Sequence, residues 1–395
     1  MNKKIIISFL LSLMIIIMIS FSSFFFNEKT TVSEEKAIEL KIDEIMKTMS
    51  IEEKIAQMLV LYYNSDVVDQ ELTEIIKTYS PGGFILTKNN LTSLDSAIIF
   101  VKDIKENSKI PPIIAIDEEG GTVHRLDYID GTSPFPDMRD LGKTEDKTIA
   151  YNLGKAVAEE LRVIGVNVNF APVMDIDNGK TDSFMRYRSI STNKEIVSSL
   201  GTSFAKGLED NKIIATYKHF PGHGDTSVDS HTNMPIINKT KEEIMNNELI
   251  PFKEAIKNDA KLIMTAHINI PSISKYPATL SKELITDILK KELGYKGLVI
   301  TDALNMGAIT NNFTEEEIYT KAIEAGCDIL LMPTSSKSAI NIIKRNISQK
   351  RIDESVKKIL LFKYTYLNND NLLNKSVFNI ESHKDVINKI KSYEN

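Results

Sequence analysis

Eight short runs rich in Ile, Val and Leu alternate with amphipathic segments over about 300 residues. That order predicts an α/β fold, a parallel (β/α)8 barrel of the TIM type built as a single domain. A second observation supports closure. Asp117, Asp175, Lys218 with His219, His267 and Asp302 each follow an apolar run almost at once. Parallel barrels gather such groups at the C-terminal ends of their strands. A doubly wound open sheet is the alternative that alternation by itself allows.

The chain begins with Lys3 and Lys4, followed by Ile5 to Phe26, a run of 22 residues without a charge. At about 1.5 Å per residue, a helix of that length approaches the ~30 Å hydrocarbon core of a bilayer. Residues 1–26 are therefore expected to form a hydrophobic helix, as a membrane anchor or a signal peptide. No Ala-x-Ala cleavage site is present, although Ser20 to Ser23 supply small residues. The two lysines keep that end in the cytoplasm and place the rest outside. The expectation is an exported, extracellular protein, held to the cell membrane by this segment or secreted after its cleavage. Residues 27–44 read as a spacer and the start of the first helix.

The barrel is expected over residues 45–370. Its strands are read at Met58 to Tyr62, Gly83 to Leu86, Ile113 to Ile116, Val166 to Phe170, Ile213 to Tyr217, Leu262 to Ala266, Leu298 to Ile300 and Ile329 to Met332. Each is short and apolar throughout, as suits a strand covered on both faces. Helical periodicity appears at Leu94 to Lys105, Lys147 to Val163, Asn193 to Leu208, Lys241 to Lys257, Lys282 to Leu293 and Glu315 to Ala325. Residues 371–395 form a polar segment and a last amphipathic helix from Glu381 to Tyr393, leaving no room for a second sizeable domain.

Composition narrows the function classes. The formal net charge is -6 with both signs interspersed, so nothing suggests nucleic-acid binding. The single cysteine, Cys327, rules out an intrachain disulfide and argues against a thiolate zinc site. It sits at the start of a predicted strand and reads as a small buried hydrophobe.

The densest chemistry lies between Lys218 and His231, where three of the six histidines fall within fourteen residues. The segment reads as the end of a strand entering a glycine-containing loop. Asp229-Ser230-His231 places a carboxylate two residues from an imidazole, an arrangement that can fix the ring's tautomer for proton transfer. His219 and His223 are spaced for a helical metal pair, but Pro221, Gly222 and Gly224 argue against a helix there. No Gly-x-Ser-x-Gly elbow supports a serine hydrolase. Asp302 follows a buried strand directly. It either caps the next helix or points its charge into the barrel mouth as a nucleophile or electrostatic stabiliser.

Lys218-His219-Phe220-Pro221-Gly222-His223-Gly224, followed by Asp229-Ser230-His231, resembles the signature of the β-N-acetylhexosaminidase branch of glycoside hydrolase family 3. Other segments resemble the branch in the same order. They are Asp117 to Arg125, Asn169 to Ile176, Arg188 to Ser191, Met264 to His267 and Thr301 to Met306. The similarity spans roughly residues 45–335. It implies that Asp302 corresponds to the catalytic nucleophile and His231 to the acid/base, oriented by Asp229. It also implies that Asp117, Arg125, Arg188, Lys218 and His219 bind the sugar.

The resemblance further implies an exo-acting, retaining β-N-acetylglucosaminidase. Such an enzyme removes terminal N-acetylglucosamine from peptidoglycan fragments through a covalent glycosyl-aspartate, with no metal and no organic cofactor. The implied partner is an N-acetylglucosamine-containing glycan, and the oligomeric state stays open. Glu118 stands where glutamine or histidine is common, Thr122 where arginine is common, and Ile190 where phenylalanine is usual. The first two departures change the local charge near the sugar site, so a β-glucosidase or a chito-oligosaccharide hydrolase stays an alternative. A histidine base, which repels an anionic acceptor less than a carboxylate would, adds an N-acetylglucosaminide phosphorylase. A barrel that binds the cell wall without catalysis is the reading from another class.

Overall fold

The structure, a computed structural model, describes residues 36–180, 183, 185–225, 233–367 and 372–393. The chain divides into two compact units, Met1–Thr48 and Met49–Asn395. In the first, residues 36–48 are helical. The expected hydrophobic helix at residues 1–26 lies outside the described residues, among which no helix is long and apolar enough to cross a membrane.

The second unit contains all eight predicted strands. In chain order they are β1 (Leu59–Tyr62), β2 (Gly83–Leu86), β3 (Ile113–Ile116), β6 (Val168–Asn169), β7 (Ile214–Phe220), β8 (Leu262–Thr265), β9 (Leu298–Ile300) and β10 (Leu330–Leu331). A two-stranded hairpin, β4 (Glu118–Gly120) with β5 (Val123–His124), follows β3. Every neighbouring pair in the eight-stranded sheet is parallel, in the order β10-β1-β2-β3-β6-β7-β8-β9. First and last strands pair directly, with Leu59 opposite Leu330. Across the remaining seam, Ile300 bridges Ile329, and the N–H of Thr301 donates to the Ile329 carbonyl at 3.0 Å. An open sheet cannot make both joins, so the result is a nearly closed parallel α/β barrel.

The sequence explains each part. Strand residues such as Ile114, Ala115, Val168, Ile263 and Val299 are fully buried, as expected for strands sandwiched between lumen and helices. Leu94–Asn107, Lys147–Ile164, Lys194–Asp210 and Glu315–Ala325 are helices within two residues of their predicted bounds. The predicted helix Lys241 to Lys257 is instead two, Lys241–Asn246 and Ile250–Lys257. Pro251 sits in the first turn of the second, where its missing N–H is harmless, whereas in one continuous helix it would break the ladder. Cys327 is buried just ahead of β10, and burial pushes its thiol up to about 12.

Strand β7 corrects the sequence reading most usefully. It continues through Lys218 and His219 to Phe220 rather than ending at Tyr217. Tyr217 pairs with Ile263 and Phe220 with Thr265, so β7 carries one extra residue against β8. In a regular strand, Lys218 and His219 would face opposite sides. A bulge re-aims side chains and is favoured beside functional sites.

Candidate active site

The C-terminal ends of the strands surround a cleft of about 640 Å³. Asp117, Arg125, Arg188, Lys218, His219 and Asp302 all line it, so six of the eight residues singled out from sequence converge. The other two, Asp229 and His231, lie outside the described residues.

The charges are organised around Glu119, which the sequence reading quoted within a motif but assigned no role. Arg188 donates to it from Nε at 2.8 Å and Nη2 at 2.7 Å, and Lys218 Nζ lies 2.6 Å away. Lys218 also donates to Asp117 at 2.8 Å. Burial opposes ionisation of Glu119, yet Arg188 and Lys218 hold its carboxyl well below the usual range. Burial likewise opposes the charges on Arg188 and Lys218, and their carboxylate neighbours raise both above their ordinary values. Mutually charged, hydrogen-bonded groups of this kind can be buried without neutralising.

Asp175 orders two histidines of the lining, His219 and His223. His219 Nδ1 lies 2.7 Å from its Oδ2, and the backbone N–H groups of His219 and His223 donate to its Oδ1 at 3.2 and 2.6 Å. An ionised Asp175 fixes His219 as the Nδ1–H tautomer, leaving Nε2 for the cleft. His223 packs edge-on against His219 at 6.0 Å, and burial lowers its pKa to about 4. Among the described residues no cluster of three or more His, Cys, Asp or Glu side chains is arranged to hold a metal ion.

Asp302 lies just beyond β9. The short helix that follows starts only at Gly307, with Met306 at its cap, so Asp302 does not cap it. Its Oδ1 accepts from the Ala303 N–H at 2.7 Å. Burial raises its pKa, but His219, His267, that N–H and Lys218 together bring it below the ordinary aspartate value. His267 is itself fixed, with Nδ1 2.8 Å from Thr279 Oγ1 and Nε2 3.0 Å from the Ala303 carbonyl. The site therefore presents an ionised carboxylate to a cleft walled by cations and hydrogen-bond donors.

Arg125 completes the lining. It follows hairpin β4–β5, whose turn is Gly121-Thr122; Gly120, at the end of β4, and Gly121 have φ of 93° and 51°. A Cβ on Gly121 would lie 2.1 Å from Asp137 Oδ1, so both conformation and space demand glycine there. Among the described residues no carboxylate pairs with the Arg125 guanidinium, which lines the cleft.

Residues 50–362 match the family described as Glycosyl hydrolase family 3 N terminal domain. The chain belongs to glycosyl hydrolase family 3. It is 36% identical over 293 residues to "Beta-hexosaminidase A" of Pseudoalteromonas piscicida, covering 69% of this chain and 49% of that protein. It is 32% identical over 283 residues to "Beta-hexosaminidase" of Haemophilus influenzae, covering 70% and 79%. The chain thus spans about half the length of the first relative and most of the second. Among solved structures, the family 3 β-N-acetylglucosaminidase of Paenibacillus sp. str. FPU-7 superposes with a TM-score of 0.81 at 31% identity, covering 88% of this chain and 69% of that one.

Proposed function

We propose that this family 3 protein is an exo-acting, retaining β-N-acetylglucosaminidase that removes terminal N-acetylglucosamine from cell-wall glycan fragments. The observation that carries this reading is the Asp302 carboxylate, held ionised at the end of β9 in a cleft lined by Arg125, Arg188, Lys218 and His219. The printed activities of the Pseudoalteromonas, Haemophilus and Paenibacillus relatives support the choice of sugar.

The reaction proceeds by double displacement. Asp302 attacks the anomeric carbon as His231 protonates the leaving oxygen, forming a glycosyl-aspartate. His231, now neutral and oriented by Asp229, takes a proton from water, which attacks the same carbon and frees Asp302. Asp117, Arg125, Arg188, Lys218 and His219 hold the sugar hydroxyls and acetamido group. Because Asp302 stays ionised, it is ready as the nucleophile of the first step.

Export belongs to the same proposal. Lys3, Lys4 and the uncharged run to Phe26 support a protein tethered outside the cell membrane or released from it. Intact cells exposed to protease should lose the protein while cytosolic markers persist.

Mass spectrometry of chito-oligosaccharides and defined muropeptides treated with the full-length protein tests the activity. Stepwise loss of single N-acetylglucosamine units from the non-reducing end is expected. Equal rates on p-nitrophenyl glucoside and N-acetylglucosaminide would overturn the sugar assignment. Acid quenching of His231→Ala with an activated aryl glycoside should leave one N-acetylhexosamine on the peptide containing Asp302.

A further inference from the structure

The hairpin that delivers Arg125 to the cleft is braced by two histidines, neither of which lines the cleft. Glu118 and His124 are cross-strand partners in β4–β5. His124 Nδ1 lies 2.7 Å from Glu118 Oε1, and its Nε2 lies 3.0 Å from the Ser133 carbonyl. Glu118 is fully buried, its Oε2 accepting from the Leu126 N–H at 2.9 Å. Ser133 is gripped from its other side. Its N–H and hydroxyl both donate to Glu160, the hydroxyl at 2.6 Å.

Glu160 in turn accepts from the Asn379 N–H at 2.9 Å and meets His383 Nδ1 at 3.1 Å. His383 belongs to the C-terminal helix Glu381–Lys391, beyond the family match, and its Nε2 lies 2.9 Å from Glu159. Phe135 packs between the two imidazoles, its ring 5.7 Å from His124 and 6.4 Å from His383.

Each imidazole has an oxygen acceptor at both nitrogens. A backbone carbonyl and an ionised carboxylate can only accept, so filling both contacts requires a proton on each nitrogen. His383 Nδ1 also lies 3.3 Å from the Ser133 hydroxyl. This geometry favours the imidazolium form of both His124 and His383.

We infer that His124 and His383 are positioning residues: through Ser133, the C-terminal helix holds the Glu118–His124 hairpin, and with it Arg125, in register with the substrate. Loss of the His124 proton forfeits either the Glu118 or the Ser133 contact. Loss of the His383 proton forfeits Glu159 or Glu160. The charged groups facing His124 are Glu118 and Asp127. Those facing His383 are Glu160 and Glu159, the latter 3.8 Å from Lys155. Burial works against both protons, but the carboxylates prevail and raise both imidazoles above their ordinary value. The clamp therefore loosens as pH rises through the raised imidazolium range.

The kinetic part of this inference rests on the proposed glycosidase activity; the structural part does not. Backbone hydrogen–deuterium exchange of residues 118–137, referenced to the barrel strands of the same full-length protein, reads the clamp without substrate. In the wild type it should accelerate as pH rises past the imidazolium range. His383→Gln should show fast exchange already at neutral pH. For p-nitrophenyl N-acetyl-β-glucosaminide, its KM should rise about tenfold with kcat held within about twofold, the signature of lost binding rather than lost chemistry. Glu159→Gln removes one partner without opening a cavity, and should shift the exchange transition to lower pH. That variant serves should His383→Gln fail to fold.

Unchanged exchange at 118–137 in the folded variants would overturn the clamp. Faster exchange with unaltered KM would overturn its link to Arg125. Absence of wild-type turnover would count against the glycosidase reading while exchange still decides the clamp.

Discussion

Glu119 receives Arg188 side-on, with Nε and Nη2 of the guanidinium 2.8 and 2.7 Å from its two carboxylate oxygens. The same carboxylate takes Lys218 at 2.6 Å, so one buried anion fixes two of the cations that face the cleft. Removing it strands both. Breaking a buried ion pair by deleting one partner costs about 3–5 kcal/mol, and Glu119→Ala should lose stability on that scale in denaturant titrations at neutral pH. The folded pKa of Glu119 lies below its unfolded value, so its stabilisation is present above the unfolded pKa and lost as pH falls through the folded one. The gap between wild type and variant should therefore narrow below about pH 4, where a free glutamate protonates. A gap that is constant into acid would contradict the assignment.

Asp302 makes the opposite case, a charge placed for reaction more than for stability. Burial opposes it, and Ala303 N–H is its hydrogen-bond donor among the described residues. Asp302→Ala should lower turnover of aryl N-acetylglucosaminides by several orders of magnitude. The thermal midpoint should move by only a few degrees, since little packing is lost. A variant that keeps measurable turnover near the wild-type level would remove Asp302 from the mechanism.

The barrel was legible because its strands are short, apolar and separated by helices, and because ionisable residues sit at their ends. Those end residues also located the cleft: Asp117, Lys218, His219 and Asp302 needed only the topology to converge. Two features were not legible. Strand β7 runs past Tyr217 because a bulge against β8 accommodates Lys218 and His219, and polar residues give no apolar periodicity to follow. The hairpin β4–β5 was hidden for a similar reason. Glu118 and Glu119 carry no apolar pattern that marks a strand, and their burial shows only once Asn169, His124, Arg188 and Lys218 are seen around them.

Glu119 carried a signal that could have found it. It lies two residues from Asp117 and directly before Gly120-Gly121, where a tight turn brings backbone close to the site. What sequence cannot supply is its partner, since Arg188 is 69 positions away. Ser133, Glu160 and His383 belong to no motif; Glu160 is 27 positions from Ser133 and 223 from His383, and only folding joins them.

His231→Ala separates the acid role from the base role. Protonation of the leaving oxygen matters most when the leaving group is a poor one, such as a sugar alcohol. The variant should therefore lose far more activity on chitobiose than on an activated aryl glycoside. Rates measured on both substrates decide it, and equal losses would remove His231 from the acid role.

If His231 is the base, as in the proposed mechanism, the second step has a further consequence. A neutral histidine does not repel an anionic acceptor, whereas a carboxylate base would. At ~4 Å and an effective dielectric of ~20, that repulsion is about 4 kcal/mol per pair of unit charges, or roughly a thousandfold in rate. Arg125, without a carboxylate partner among the described residues, adds attraction at the same cleft. Phosphate should then compete with water for the glycosyl-Asp302 intermediate, giving N-acetylglucosamine 1-phosphate of retained configuration. Phosphorus NMR of reactions in phosphate buffer reads this directly, with the sugar phosphate growing as phosphate concentration rises. Free N-acetylglucosamine as the sole product at every phosphate concentration would show that water alone reaches the anomeric carbon.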